Sequence, residues 1–275
     1  MCDACLIESV KRRMLSRRDL LKGAAAGTVA VGAAAGALGG AMVPAARAAT
    51  HREATDMTHE LHEGFPTFSG NQQFWTKRMT SLEQDGYNVF ELRVNEHTGT
   101  HMDAPLHFSA DGTSVAEIPV TSLVCPLCVV DIREKAAADD DAQVTPDDLQ
   151  AWIDANGEIP DNACVAMNSG WARHVDTDKF RNLKGDTMHF PGFHPEATAM
   201  LLETGTAGIA VDTLSLDHGM SSDFAVHYSW LPAGRWGLEC IAGLDAMPPG
   251  GATLVVGAPK HRGGTGGPAR VIALS

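Results

Sequence analysis

The chain has 275 residues, 44% of them hydrophobic and 20% charged, which supplies the apolar material for a real core and rules out disorder as its bulk state. Residues 1–48 hold seven of its Lys/Arg (positions 11, 12, 13, 17, 18, 22 and 47) and three of its Asp/Glu (3, 8 and 19), so residues 49–275 carry 14 basic against 31 acidic side chains, a net charge of −17. A field of that sign repels polyanions and argues against nucleic acid and anionic lipid as partners.

The first segment is not fold. From Ser16 it reads SRRDLLKGAAAGTVAVGAAAGALGGAMVPAARAA, a twin arginine followed by an Ala/Gly-rich apolar stretch and an A-x-A site at Ala46-Arg47-Ala48. Residues 24–43 are uncharged and long enough to span a bilayer, but Leu38 is their only leucine, which is weak apolar free energy for a permanent anchor. The reading is a twin-arginine export signal over 1–48, cleaved after Ala48, with no stable membrane anchor. The precursor then meets the twin-arginine export machinery, and the mature protein is periplasmic or secreted.

Residues 49–275 contain no linker, repeat or low-complexity block and read as one domain. Runs rich in β-branched and apolar residues, NVFELRV, SLVCPLCVVDI, ACVAMN, AGIAVDT, GATLVVGA and ARVIAL, predict strands. Between them TPDDLQAWIDANG predicts a helix capped at Thr145, with Pro146 first, acids in the first turn and Gly157 past its end, and HPEATAMLLETG repeats the grammar from Pro195 to Gly205. Few helices, many strands and glycine-rich turns predict a mixed α/β domain with a mainly β core.

Four cysteines remain after processing: Cys125, Cys128, Cys164 and Cys240. Cys125 and Cys128 have redox or zinc spacing, but they lie in an apolar β run and no second CxxC completes a four-cysteine zinc site. They are read as buried structural thiols, with a disulfide in the exported protein as the alternative.

The chemistry concentrates in HTGTHMDAPLHF, residues 97–108. A helix through Thr-Gly-Thr ahead of Pro105 is unfavourable. In an extended chain His97, His101 and Asp103 share a face, but 97–103 would then span about 20 Å, so the chain must turn, and Gly99 is the residue able to let it bend. Two imidazoles and a carboxylate converging suit zinc, with manganese the other candidate. His107, beyond the Pro105 turn, is left as a fourth ligand or an acid/base.

These residues carry a resemblance. HTGTHMDAPLH is similar to the H-x-G-T-H-x-D-x-P-x-H hallmark of the cyclase family of metal-dependent hydrolases, which includes bacterial kynurenine formamidase and isatin hydrolase. DMTHEL at 56–61, the stretch 227–260 and GGPARVIAL extend it over most of 56–275. The resemblance implies a swivelling β/β/α fold and one or two divalent ions, zinc or manganese. It places His97, His101 and Asp103 on one metal and Asp103, His227 and Glu239 on the other, with His107 as proton donor and acceptor. It further implies a homodimer or higher homo-oligomer acting on a small-molecule amide, linear N-formyl or cyclic. Glu239 also stands among apolar residues in GLECIAG, where a carboxylate needs a proton, a partner or a metal. One departure is location, since a formamidase of tryptophan breakdown belongs in the cytoplasm beside its pathway.

His189, His194 and His218 lie in segments that border the family's site and are read as substrate contacts or ordinary loop residues. Trp75, Trp171, Trp230 and Trp236 are read as a pocket wall or as core. A lactonase or dehydratase would keep the same metal residues, and a periplasmic metal-binding protein would need neither a free His107 nor a pocket.

Overall fold

The strand-forming runs pair mostly in one sheet. A computed structural model describes residues 53–275; the predicted export segment, its predicted cleavage site and the predicted domain start at Ala49 lie outside these residues. In chain order the strands are β1 (Ala54–Asp56), β2 (Phe74–Thr80), β3 (Val89–Val94), β4 (His101–Asp103), β5 (Val124–Asp131), β6 (Gln143–Val144), β7 (Cys164–Asn168), β8 (Leu183–Lys184), β9 (Thr187–Met188), β10 (Gly192–Phe193), β11 (Gly208–Val211), β12 (Trp236–Glu239), β13 (Ala252–Gly257), β14 (Gly266–Pro268) and β15 (Arg270–Leu274). Nine of them form a sheet in the order β1-β15-β13-β5-β7-β11-β12-β4-β14. Its centre, β5-β7-β11-β12, is parallel, and both flanks are antiparallel.

The parallel centre explains the continuous apolar runs. Every residue of β7 and β11 is buried, as expected for strands covered on both faces. On one face Cys125, Leu127, Ala210, Leu238, Leu254, Val271 and Met102 join a single cluster that includes strands far apart in the sheet order, so the sheet curls around its own core. On the other, Val130, Val165, Met167 and Ile209 pack against Leu149, Trp152, Leu201 and Trp230 from helices.

Helix Pro146–Asn156 starts as predicted: the Asp148 carboxylate accepts from both the backbone N–H and the hydroxyl of Thr145, and Gly157 follows the last turn. Helix Pro195–Leu202 stops one turn short of the predicted Gly205. Helix Ala225–Trp230, six residues long, has no clear periodic signal in the sequence. All four described cysteines are free and buried, and burial pushes the Cys125 thiol up to about 12 and that of Cys128 to about 11, so they are structural thiols.

The hairpin β2–β3 stands outside the large sheet. Every residue of β3 is exposed. Its register puts Phe74, Phe90, Leu92 and Val94 on one face, while Trp75, Lys77, Glu91 and Arg93 occupy the other, with Arg93 over the Trp75 ring. Among the described residues no helix is long and apolar enough to cross a membrane.

Candidate metal centre

The bend at Gly99 brings the motif together. Gly99 has φ +69°, the left-handed conformation that favours glycine, and a Cβ there would come 2.9 Å from Leu61 Cδ1. After the bend, β4 carries His101 and Asp103, and Pro105–His107 forms a single 3₁₀ turn that folds His107 back, its ring stacked on His97 at 3.8 Å between centroids. β4 pairs with β12 so that His101 faces Glu239 and Asp103 faces Gly237. Helix Ala225–Trp230 delivers His227 from the side. All six residues singled out in the sequence, His97, His101, Asp103, His107, His227 and Glu239, therefore meet in one place.

The spacing at the centre separates two kinds of contact. His101 Nδ1 donates to the Gly99 carbonyl at 2.8 Å, and His227 Nδ1 donates to Asp217 Oδ2 at 2.6 Å. Those bonds turn both Nε2 atoms inward. His101 Nε2 lies 3.4 Å from Asp103 Oδ1 and 3.3 Å from Glu239 Oε2, and His227 Nε2 lies 3.5 Å from Asp103 Oδ2 and 3.2 Å from Glu239 Oε1. Most of these separations are long for good hydrogen bonds. Two ligand atoms each about 2.1 Å from one ion at a tetrahedral angle stand about 3.4 Å apart. His101 Nε2 and Asp103 Oδ2 are buried without a hydrogen-bond partner, as donor atoms awaiting a cation would be.

Electrostatics agree. Burial alone would lower His101, yet Asp103 and Glu239 beside it outweigh that and push it up to about 10. His227 is likewise held well above the ordinary range against its burial, by Asp103, Asp217 and Glu239. Burial would raise Asp103, but three imidazoles hold its carboxyl well below the usual range. This pocket of carboxylates calls for positive charge, which a divalent ion supplies in place of imidazole protons. Two groups of donors stand close enough to share an ion: His101, Asp103 and Glu239, and also His97, Asp103 and His107. His107 differs from the inner histidines, because burial pushes it down to about 4 and it is neutral at physiological pH.

A cleft of about 300 Å³ opens over these residues, walled by Phe68, Phe108, Phe224 and Leu214. The rings of Phe68 and Phe108 lie 5.9 and 6.0 Å from that of Phe224. Phe224 and Cys240, both at the cleft, hold φ of +51° and +53°, conformations that non-glycine residues seldom adopt and that concentrate at functional sites. The Ser215 hydroxyl at the cleft is buried without a partner.

The tryptophans do not build this wall: Trp171, Trp230 and Trp236 are buried in the core and Trp75 stacks with Arg93 on the hairpin. His189 pairs with Asp141, His194 caps the helix that follows it, and neither they nor His218 line the cleft. Sequence reasoning missed Asp217 and the phenylalanine wall. The signal for Asp217 was an acid set in the LSLDHG stretch ten residues before His227, where burial demands a partner.

Comparison with known proteins places the chain. Residues 55–218 match the family model described as Cyclase. An isatin hydrolase from Roseibium aggregatum is 33% identical over 191 residues, covering 66% of this chain and 72% of the relative. A kynurenine formamidase from Salinibacter ruber is 27% identical over 223 residues, covering 79% and 95%. The solved structure of isatin hydrolase A from Labrenzia aggregata, bound to benzyl benzoate, superposes with a TM-score of 0.76 at 34% identity, covering 81% of this chain and 93% of that one.

Proposed function

The chain belongs to the Cyclase family and is a metal-dependent amide hydrolase, and from that premise we propose that it is an exported enzyme cleaving a linear N-formyl or cyclic C–N amide bond in a small aryl molecule. The observation that carries this reading is the set of four N···O separations of 3.2–3.5 Å between two buried histidines and two buried carboxylates, at the floor of a cleft walled by three phenylalanines. The relatives are named isatin hydrolase and kynurenine formamidase, and an aryl amide is a substrate class that the phenylalanine wall suits.

His97, His101, Asp103, His227 and Glu239 would hold the metal, as one ion or two. A bound zinc or manganese ion supplies a lowered water pKa and polarisation of the substrate carbonyl. His107, neutral at the start, accepts a proton from the attacking water. It returns that proton to the leaving nitrogen as the C–N bond breaks, so the amine departs neutral rather than as an amide anion. A linear amide gives a carboxylic acid and a separate amine, and a cyclic one gives a single ring-opened molecule carrying both groups. The cleft phenylalanines orient the aryl ring and exclude water from it.

Elemental analysis together with a panel of N-formyl anilines, cyclic amides, lactones and hydroxy acids tests the reading. Metal with amide turnover supports it; preference for lactones or hydroxy acids assigns the site to a lactonase or dehydratase, and metal with no turnover makes the chain a metal-binding protein. Export rests on the twin arginine and the A-x-A site, and Arg17→Lys with Arg18→Lys should leave precursor in the cytoplasm; continued export would overturn it. We also propose a homodimer or higher homo-oligomer, supported by the apolar hairpin face of Phe74, Phe90, Leu92 and Val94 and by the presence of three of the mature chain's 14 cations, Lys77, Arg78 and Arg93, on that hairpin in an otherwise acidic protein. Sedimentation should show an oligomer that Leu92→Asp dissociates; a monomeric wild type would refute this.

A further inference from the structure

The sequence HRGGTGG, residues 261–267, has no part in the reaction above, yet its backbone passes directly under the ring of His97. A Cβ on Gly266 would stand 2.7 Å from His97 Cε1 and would also strike the Met102 carbonyl oxygen. Only a glycine at 266 lets β14 lie this close to β4, and the approach sets the Thr265 hydroxyl 2.9 Å from His97 Nε2.

The direction of that hydrogen bond follows from the next residue outward. Glu96 Oε2 lies 2.5 Å from Thr265 Oγ1 and also accepts from the Thr265 backbone N–H at 3.2 Å, while His261 Nε2 donates to Oε1. An ionised carboxylate only accepts. The single hydroxyl proton of Thr265 is therefore committed to Glu96, and the contact with His97 requires His97 Nε2 to be the donor. Whatever stands at the other nitrogen, Nε2 keeps its hydrogen, and Nδ1, 2.7 Å from Asp103 Oδ1, faces the metal residues.

We infer that Glu96 and Thr265 are positioning residues that commit His97 to presenting Nδ1 to the site, opposite to His101 and His227, which are anchored through Nδ1 and present Nε2. The inference rests on the metal-hydrolase reading. An imidazole whose outer N–H is held by an oxygen cannot rotate or change tautomer without breaking that bond, so the pair sets both the ring plane and the ligating nitrogen. The stack of His107 on His97 passes the same orientation to the proton carrier.

The test uses the mature protein with Thr265→Val, Thr265→Ser and Glu96→Gln, and two readouts besides turnover. Long-range ¹H–¹⁵N correlation of the zinc-loaded wild type should show hydrogen on Nε2 of His97 and none on Nδ1. Zinc affinity by chelator competition should fall roughly 10- to 100-fold in Thr265→Val, the usual consequence of losing such an outer partner, stay within about threefold in Thr265→Ser, and lie between them in Glu96→Gln. Hydrogen on Nδ1 in the wild type overturns the inference. So does wild-type zinc affinity in Thr265→Val, or Thr265→Ser as weak as Thr265→Val, which would make packing rather than the hydroxyl the cause. If Thr265→Val does not fold, the wild-type spectrum and Glu96→Gln decide. A wild type that binds neither zinc nor manganese sinks the hydrolase reading itself, and this inference falls with it; a metallated, active wild type with the opposite tautomer sinks this inference alone.

Discussion

Replacing His107 by alanine separates a proton carrier from a metal ligand. The ring is neutral at neutral pH, since burial holds it near 4, so its removal takes no charge from the centre, and His101, Asp103, His227 and Glu239 still surround the metal position. Structurally the variant loses one ring stack, against His97 at 3.8 Å, and two edge contacts, with Phe108 at 4.7 Å and His227 at 6.1 Å. An aromatic pair contributes about 0.5–1.5 kcal/mol. In a domain of this size 1 kcal/mol lowers the melting temperature by about 2–4 °C, so the variant should remain folded. Turnover should fall roughly 10²- to 10⁴-fold, the worth of one positioned acid/base, equivalent to about 2.7–5.5 kcal/mol in the barrier. Anilides with electron-poor leaving groups should lose less, because their nitrogen needs less protonation. In the wild type the rate should rise with pH through the His107 ionisation near 4, since only the neutral ring accepts a proton, and that limb should vanish in the variant. Kinetics across an anilide series, with metal content measured on the same samples, make the comparison. Metal lost in step with activity would show that His107 is a ligand sharing an ion with His97 and Asp103, the second donor group in the structure. Undiminished turnover with full metal would remove His107 from the chemistry.

Two further outcomes follow from the groups around the centre. Asp217 accepts from His227 Nδ1 at 2.6 Å and from the backbone N–H groups of Val226 and His227, so Asp217→Asn should weaken metal binding roughly 10- to 100-fold in a chelator competition; unchanged affinity would show that the helix alone holds His227. Asp212, buried with Ser169 and Trp171 as its donors, is pushed by burial from an ordinary 3.8 up to about 6. Its folded pKa exceeds its unfolded one, so its contribution to stability is fully present below pH 3.8 and is lost as pH rises through 6, a change of about 3 kcal/mol. Urea unfolding should show the stability of the wild type relative to Asp212→Asn falling over that window, and a pH-independent difference would contradict the assignment.

What was legible in the sequence was what is local. Three strands of the parallel centre, β5, β7 and β11, declared themselves as continuous apolar runs because both of their faces are covered, whereas the four-residue β12 gave no such run. Helix Pro146–Asn156 was readable at both ends because a cap involves only residues within one turn. The bend at Gly99 followed from arithmetic on an eleven-residue stretch, since only a turn brings His97, His101 and Asp103 within reach of one another. His227 and Glu239 came from the family spacing and not from their own neighbourhoods.

The tertiary structure decided everything that depends on which strand lies beside which. A period-two pattern says that a residue points inward but not what it meets there. The pairing of β12 with β4 puts Glu239 opposite His101, and the pairing of β4 with β14 puts Thr265 beside His97, across separations of 138 and 168 residues. The cleft wall shows the same limit. The sequence offered Trp75, Trp171, Trp230 and Trp236 as a pocket wall or as core, and the fold buried the last three of these in its core because the curled sheet and its helices had that volume to fill. It left Phe68, Phe108 and Phe224, from three segments far apart in sequence, around the metal residues. Side-chain chemistry determined what kind of site this chain could hold, and long-range register determined which atoms would face one another inside it.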